Sequence, residues 1–222
     1  MIKISRVALG LLCVPLIALG VKAQSAKGGD DALQLIRKVE ARYGRMRGLA
    51  AEFEQTYSAP GARVRRERGR LVLERPRRMR WEYDPKPGKL FIVNGRDVWL
   101  YVPADREATH ADLTNVSDAR FPFLFLLGQT NLRREFRSIT LAEGDSQNET
   151  RTLRLIPRGA SSGLREILLE AYPDGKILKV TLVETTGATS EVTLSNLRED
   201  FTAPPGAFDF RPPPGVNVRR QK

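Results

Sequence analysis

The stretch Arg75-Pro76-Arg77-Arg78-Met79-Arg80-Trp81-Glu82-Tyr83 decides the fold class. It reads as the end of one strand, a corner marked by Pro76, and a second strand. In the second strand Met79, Trp81 and Tyr83 share one face, while Arg78, Arg80 and Glu82 share the other. An apolar wall backed by a charged wall is the pattern of a half-buried sheet. The functional question is what covers the apolar wall: the protein's own core or a guest.

Working outward, the same period of two recurs. Upstream, Leu49, Ala51, Phe53, Gln55 and Tyr57 alternate with Ala50, Glu52, Glu54 and Thr56. Pro60-Gly61 turns the chain, and 66–75 alternates again, with Leu71 and Leu73 on one face. Downstream, 90–93 runs into Asn94-Gly95, a two-residue hairpin signal, and 98–102 returns with Trp99 and Tyr101 on one face. Further strands are expected over 109–113, 139–143, 150–156, 166–172, 176–184 and 190–197. Pro173-Asp174-Gly175 turns between two of them. Neighbouring hairpins and few helices predict one highly curved antiparallel sheet of about ten or eleven strands, half-open or barrel-like.

Two segments break the strand pattern. Asp30 or Asp31 is placed to cap a helix to about Arg45, whose Leu33, Ile36, Val39 and Tyr43, with Met46 just beyond, recur every three or four positions. Residues 121–128, Phe-Pro-Phe-Leu-Phe-Leu-Leu-Gly, are apolar all round and too short to span a membrane. Both are expected over the concave side of the sheet, with 132–137 as a short helix. In the tail, Phe208-Asp209-Phe210-Arg211-Pro212-Pro213-Pro214 puts two phenylalanines on one face. Its prolines forbid a central strand and predict an edge or wrapping segment.

The chain has 222 residues and a net charge of +11. Met1–Arg6 is basic, 7–21 is apolar, and Val21-Lys22-Ala23 resembles a signal-peptidase site, so residues 1–23 read as a secretory signal cleaved after Ala23. The apolar run is short for a membrane span and contains Pro15. Cys13, the only cysteine, lies inside it, preceded by Gly10-Leu11-Leu12 rather than a lipidation signal. Residues 24–222 then form one domain, large enough for a core without disulfides, with no thiolate nucleophile and no Cys metal site. That domain keeps a charge of about +8, since Lys3, Arg6 and Lys22 leave with the signal. In an exported protein such charge points away from nucleic acid and towards anionic membrane surfaces, acidic proteins or lipid head groups, or simply serves solubility.

Catalytic patterns are sparse. His110 is the sole histidine, no Gly-x-Ser-x-Gly turn precedes a helix, and no metal-ligand spacing or phosphate-cradling loop is present. Glu52 and Glu54 share a strand face that alternation assigns to solvent. What stands out is apolar surplus. Phe53, Tyr57, Leu71, Leu73, Met79, Trp81, Tyr83, Leu100, Phe121, Phe123 and Phe125 can line one interior, whether as an ordinary core or as the wall of a lipid cavity.

Three stretches together resemble the LolA family of periplasmic carriers for outer-membrane lipoproteins. They are Gly69–Tyr83, with its Arg-Pro corner and Arg-Trp strand, the hairpin Val93–Pro103, and Phe208–Val216. Their order and spacing fit across the whole of 24–222. The resemblance implies a mostly β fold: a half-open, incomplete antiparallel barrel of about 11 strands, with a helical lid over its concave hydrophobic side. It implies a monomeric, non-enzymatic periplasmic protein without cofactor or metal. The cavity would receive lipoprotein acyl chains from an ATP-driven inner-membrane releasing complex, an ABC transporter, and pass them to an outer-membrane receptor. It also implies that Arg75, preceding Pro76, hydrogen-bonds the lid backbone as a latch. Met79 departs from the family pattern, which usually has Phe there. Siblings on this fold bind or sense other amphiphiles, so a carrier or sensor of a phospholipid or glycolipid is the alternative. A secreted hydrolase using His110 or the Glu52/Glu54 face is a third.

Overall fold

The computed structural model describes residues 22–115, 132–142, 149–159 and 163–221, with only the backbone at 22–28, 115 and 132. The expected signal up to Val21 and the apolar segment carrying Phe121, Phe123 and Phe125 lie outside these residues. Helix α1 (Lys22–Arg45) leads into five antiparallel neighbours: β1 (Gly48–Ser58), β2 (Arg65–Glu74), β3 (Arg78–Tyr83), β4 (Leu90–Asn94) and β5 (Asp97–Val102). After β6 (Glu107–Asp112) and the four-residue helix α2 (Leu132–Glu135) come β7 (Phe136–Leu141), β8 (Arg151–Pro157), β9 (Leu164–Ala171), β10 (Ile177–Glu184) and β11 (Thr189–Glu199). The last strand is β12 (Asn217–Arg220).

The twelve strands among the described residues form one open sheet, ordered β12-β6-β5-β4-β3-β2-β1-β11-β10-β9-β8-β7. Two meanders, β1 to β6 and β7 to β11, meet where β1 pairs β11. This is the expected half-open barrel, with one strand more than eleven. The extra one is β12, which lies beyond the prolines at the sheet's edge and pairs with β6 in parallel, while 208–214 before it forms no strand, as its prolines predict.

Alternation is obeyed across the ladders. Leu71 opposes Trp81 and Leu73 opposes Met79 between β2 and β3, while Trp81 opposes Phe91 and Met79 opposes Val93 between β3 and β4. These residues all point inward into one core cluster. Gly69 sits between Phe53 and Tyr83 in the ladder, and the two rings meet edge-on over it at 5.1 Å. A Cβ at Gly69 would lie 2.0 Å from the Glu82 carbonyl oxygen, so this close strand approach requires glycine.

Helix α1 lies on the inner face and adds Ala32, Leu35, Ile36, Val39 and Tyr43 to the same cluster. The stripe is rotated slightly from the expected one: Ala32 and Leu35 are buried, Leu33 only half so. The helix also starts at Lys22, upstream of the expected Asp30/Asp31 cap, and runs through the Ala23–Gln24 junction. The reason is that nothing in 22–29 forbids a helix; Gly28-Gly29 costs only about 2 kcal/mol against alanine, and no proline intervenes. Near its C-terminus α1 is fastened by polar contacts. Lys38 donates to the Pro173 carbonyl (2.8 Å), and Arg42 bridges Asp174 (2.8 Å) and Glu199 (2.6 Å).

The Tyr43 hydroxyl accepts a hydrogen bond from the Ile177 amide at 2.9 Å. Burial pushes its pKa up to about 12. An unfolded tyrosine titrates near ~10, so the folded state favours the neutral phenol. That contribution is complete below pH ~10 and is lost as pH rises from there through 12, a total of about 2–3 kcal/mol. Urea titrations at pH ~8.5 and ~11.5 should show this loss in the wild type, and Tyr43→Phe should lack that share of it. An alkaline loss of equal size in both proteins would remove Tyr43 as its source.

The outer face carries a second aromatic group built by the tail. Trp99 stacks on His110 (4.4 Å), and Phe210 packs against Trp99 and Tyr101, each at 5.4 Å. Phe208 is buried under the Arg78 guanidinium, and Arg80 donates to the Ala207 carbonyl at 3.2 Å. Arg78 and Arg80 are therefore half-buried fasteners of the tail rather than merely solvated arginines.

Candidate functional site

The inner wall brings together six of the eleven residues expected to line one interior. Phe53, Leu71, Leu73, Met79, Trp81 and Tyr83 are all buried in one cluster. Phe53 and Trp81 are 4.6 Å apart, and Trp81 and Tyr83 6.5 Å, so three rings form a continuous aromatic panel across β1 and β3. Leu100 is half-buried at the margin of this cluster. Tyr57 is half-buried at the open end of the interior, and Phe121, Phe123 and Phe125 fall outside the described residues. Together with α1, the panel forms a packed interior.

At one end of this interior stands Arg75. Its backbone N–H donates to the Arg47 carbonyl at 2.8 Å, closing the corner between β2 and β3. Its side chain reaches a narrow niche walled by Tyr43, Met46, Leu49 and Leu73. The Nε there is buried and makes no hydrogen bond among the described residues. Desolvation lowers the guanidinium's pKa, as expected for a cation among apolar side chains.

The opposite end opens into a cavity of about 810 Å³, within the usual range for ligand pockets. Its walls are the inward-facing ends of several strands: Gln55 and Tyr57 of β1, Arg65 and Glu67 of β2, Tyr83 of β3, Leu100 and Val102 of β5, and Ser190 of β11. Three of these form a buried polar chain. The Tyr83 hydroxyl donates to Gln55 Oε1 (2.7 Å), and Gln55 Nε2 donates to Ser190 Oγ (2.9 Å). Lys89, ion-paired with Glu67 at 2.5 Å, lies 4.4 Å over the Tyr83 ring at the rim. Sequence reasoning did not single out this polar chain. The visible signal was Gln55, a polar residue on the face otherwise held by Leu49, Ala51, Phe53 and Tyr57.

The residues weighed for catalysis sit on the other side of the sheet. His110 Nε2 pairs with Asp97 Oδ1 at 2.8 Å under the Trp99 ring, on the outer face, away from Ser190. Glu52 and Glu54 also face outward, directly opposite Arg70 and Arg68 in the ladder, and Asn196 donates to Glu52 at 2.8 Å. Their setting is that of charges matched across a solvated face.

An open half-barrel whose inner face is apolar, with a helix laid over it, is the class defined by this fold and site. The model of the family described as outer membrane lipoprotein carrier protein LolA matches residues 45–211, and the chain belongs to that family. It is 27% identical over 213 residues to an outer-membrane lipoprotein carrier protein of Methylococcus capsulatus, covering 96% of this chain and 97% of that one. It is 29% identical over 173 residues to one from Nitrosomonas europaea, covering 77% and 81% of the two chains. Among solved structures, an uncharacterized conserved protein from Thermus thermophilus shares the fold at a TM-score of 0.53. It is 12% identical, with 86% of this chain and 99% of that one covered.

Proposed function

We propose that this protein is a periplasmic lipoprotein carrier. It shields the acyl chains of lipoproteins against the inner face of the half-barrel and moves them from an ATP-driven releasing complex in the inner membrane to an outer-membrane receptor. The observation that carries this reading is the family match, joined to an inner wall of Phe53, Leu71, Leu73, Met79, Trp81 and Tyr83 continuous over three strands. The secretory pattern of residues 1–23 supports export, with cleavage after Ala23.

The physics of the cargo explains why a carrier is needed. Each buried methylene is worth about 0.8 kcal/mol, so a lipid anchor with several long chains does not escape into water unaided. The carrier must also release them, which favours broad, adaptable surfaces over a tight pocket; thioether and aromatic side chains such as Met79 and Trp81 provide that. Entry of acyl chains against a wall that α1 packs requires α1 to yield, with each apolar contact exchanged for another of similar worth. In this scheme Arg75 is the latch. Its planar head offers five donors, and lid carbonyls are the partners it takes when the carrier is closed.

Depleting the protein in its native host tests the function. Lipoproteins destined for the outer membrane should accumulate at the inner membrane, and mass spectrometry should find acylated protein on the purified carrier. Normal sorting during depletion, or a phospholipid or glycolipid as the sole co-purifying amphiphile, would count against the lipoprotein reading.

A further inference from the structure

The cavity at the open end of the half-barrel has a floor unlike the rest of the inner face. The core cluster of that face is aliphatic and aromatic among the described residues, but here Tyr83, Gln55 and Ser190 run as a hydrogen-bonded chain from β3 through β1 to β11. All three are over nine-tenths buried, and all three line the cavity. Donor accounting shows what the chain still offers. The Gln55 amide accepts from Tyr83 and uses one of its two N–H groups on Ser190. The Ser190 oxygen is occupied as an acceptor, which leaves its O–H free to donate. The second Gln55 N–H and the Ser190 O–H therefore have no acceptor among the described residues.

A wall that presents donors and little else calls for a ligand that brings acceptors. Charge selects which kind. Two cations line the cavity: Lys89 is already neutralised by Glu67, and Arg65 is exposed, stacked over the Tyr57 ring at 4.9 Å away from the buried floor; with Glu184, Asp84 and Asp105 also lining it, a carboxylate or phosphate at the floor would meet a surplus of acidic neighbours. A neutral carbonyl oxygen meets neither difficulty. Leu100, Val102, Pro85, Pro87 and Pro103 surround the floor with apolar surface, which suits a carbonyl attached to hydrocarbon.

We infer that the cavity holds the ester-carbonyl end of the acylated glycerol group, with Gln55 and Ser190 donating to an ester oxygen and the hydrocarbon running inward along the Tyr83–Phe53–Trp81 panel. This rests on the lipid-carrier reading and adds to it an orientation: ester end at the Ser190 floor, methyl ends towards Arg75. The floor then distinguishes ester-linked chains from bare hydrocarbon, a distinction the aromatic panel has no means of making.

The test is a paired measurement on the full mature chain. Dioctanoylglycerol, an ester lipid, and dioctylglycerol, its ether counterpart lacking both carbonyls, are titrated in competition with a fluorescent naphthalene-sulfonate probe. The wild type should bind the ester about tenfold more tightly, the worth of one to two hydrogen bonds in a buried site. Ser190→Ala should reduce that preference, and Gln55→Leu with Ser190→Ala should abolish it, so that the two lipids bind alike. Equal affinities for the two lipids in the wild type, or an undiminished preference in the double variant, would overturn the assignment. The wild-type comparison needs no mutant, so a folding defect does not decide it. Binding of neither lipid overturns the carrier reading itself, whereas equal binding of both overturns only the ester site.

Discussion

Trp81→Ala is expected to lower the unfolding free energy by about 3–5 kcal/mol, a large share of the stability of a domain this size. Trp81 is fully buried. Its ladder neighbours are Leu71 and Phe91, and the Phe53 and Tyr83 rings flank it. Removing the indole strips contacts from all four at once. The sheet backbone on either side is held in register by β2 and β4, so the void closes poorly and most of its cost remains. Denaturant titration followed by circular dichroism measures this directly. A cost below about 1 kcal/mol would mean that the ring is not a packed part of the wall.

Arg75→Leu is expected to have the opposite profile: a protein that folds normally and fails at transfer. The side chain enters a niche of Tyr43, Met46, Leu49 and Leu73, where leucine is at home. Its buried Nε makes no hydrogen bond among the described residues, so little native bonding is lost there. The melting temperature should stay within about 5 °C of wild type or rise. Delivery is another matter if Arg75 supplies the bonds that favour the closed form after cargo leaves. Without them the loaded form is no longer driven to empty itself, and lipoprotein should remain on the carrier, with delivery to outer-membrane vesicles falling tenfold or more. Arg75→Lys should not rescue, because an ammonium lacks the planar fork that reaches several carbonyls. Unchanged delivery by Arg75→Leu would dismiss the latch.

Much of the wall was legible because alternation is a local signal. Met79, Trp81 and Tyr83 could face only one way together, and Arg75–Tyr83 gave both the corner and the inward face. The Asn94-Gly95 turn likewise placed β4 against β5. What escaped was long-range. Gln55 stands out as polar on its own strand face, but Ser190 does not on its own, and only the β1–β11 pairing makes them neighbours. The tail's aromatic contacts with Trp99 and Tyr101 depend on a wrap across the outer face, which no strand period encodes. The start of α1 lies upstream of Asp30 and Asp31 because a capping residue begins a helix only if the chain before it leaves the helical path. Arg75 became distinct from Arg77, Arg78 and Arg80 through the family resemblance, and the structure gives it a different environment from theirs.

The junction of the two meanders has a consequence for biogenesis. Phe53 in β1 finds its ladder partner in Leu194 of β11, across most of the chain. On the proposed export route, a polypeptide threaded through a channel from its N-terminus delivers β1 early and β11 almost last. During that interval β1 pairs with β2 alone, and its other edge, flanked by the aromatic panel, is open to any passing strand. On the proposed function, the surface that receives acyl chains in the finished protein thus makes the nascent one adhesive. Its yield in the cell envelope should depend on how quickly the final third of the chain arrives, or on what guards that edge until it does.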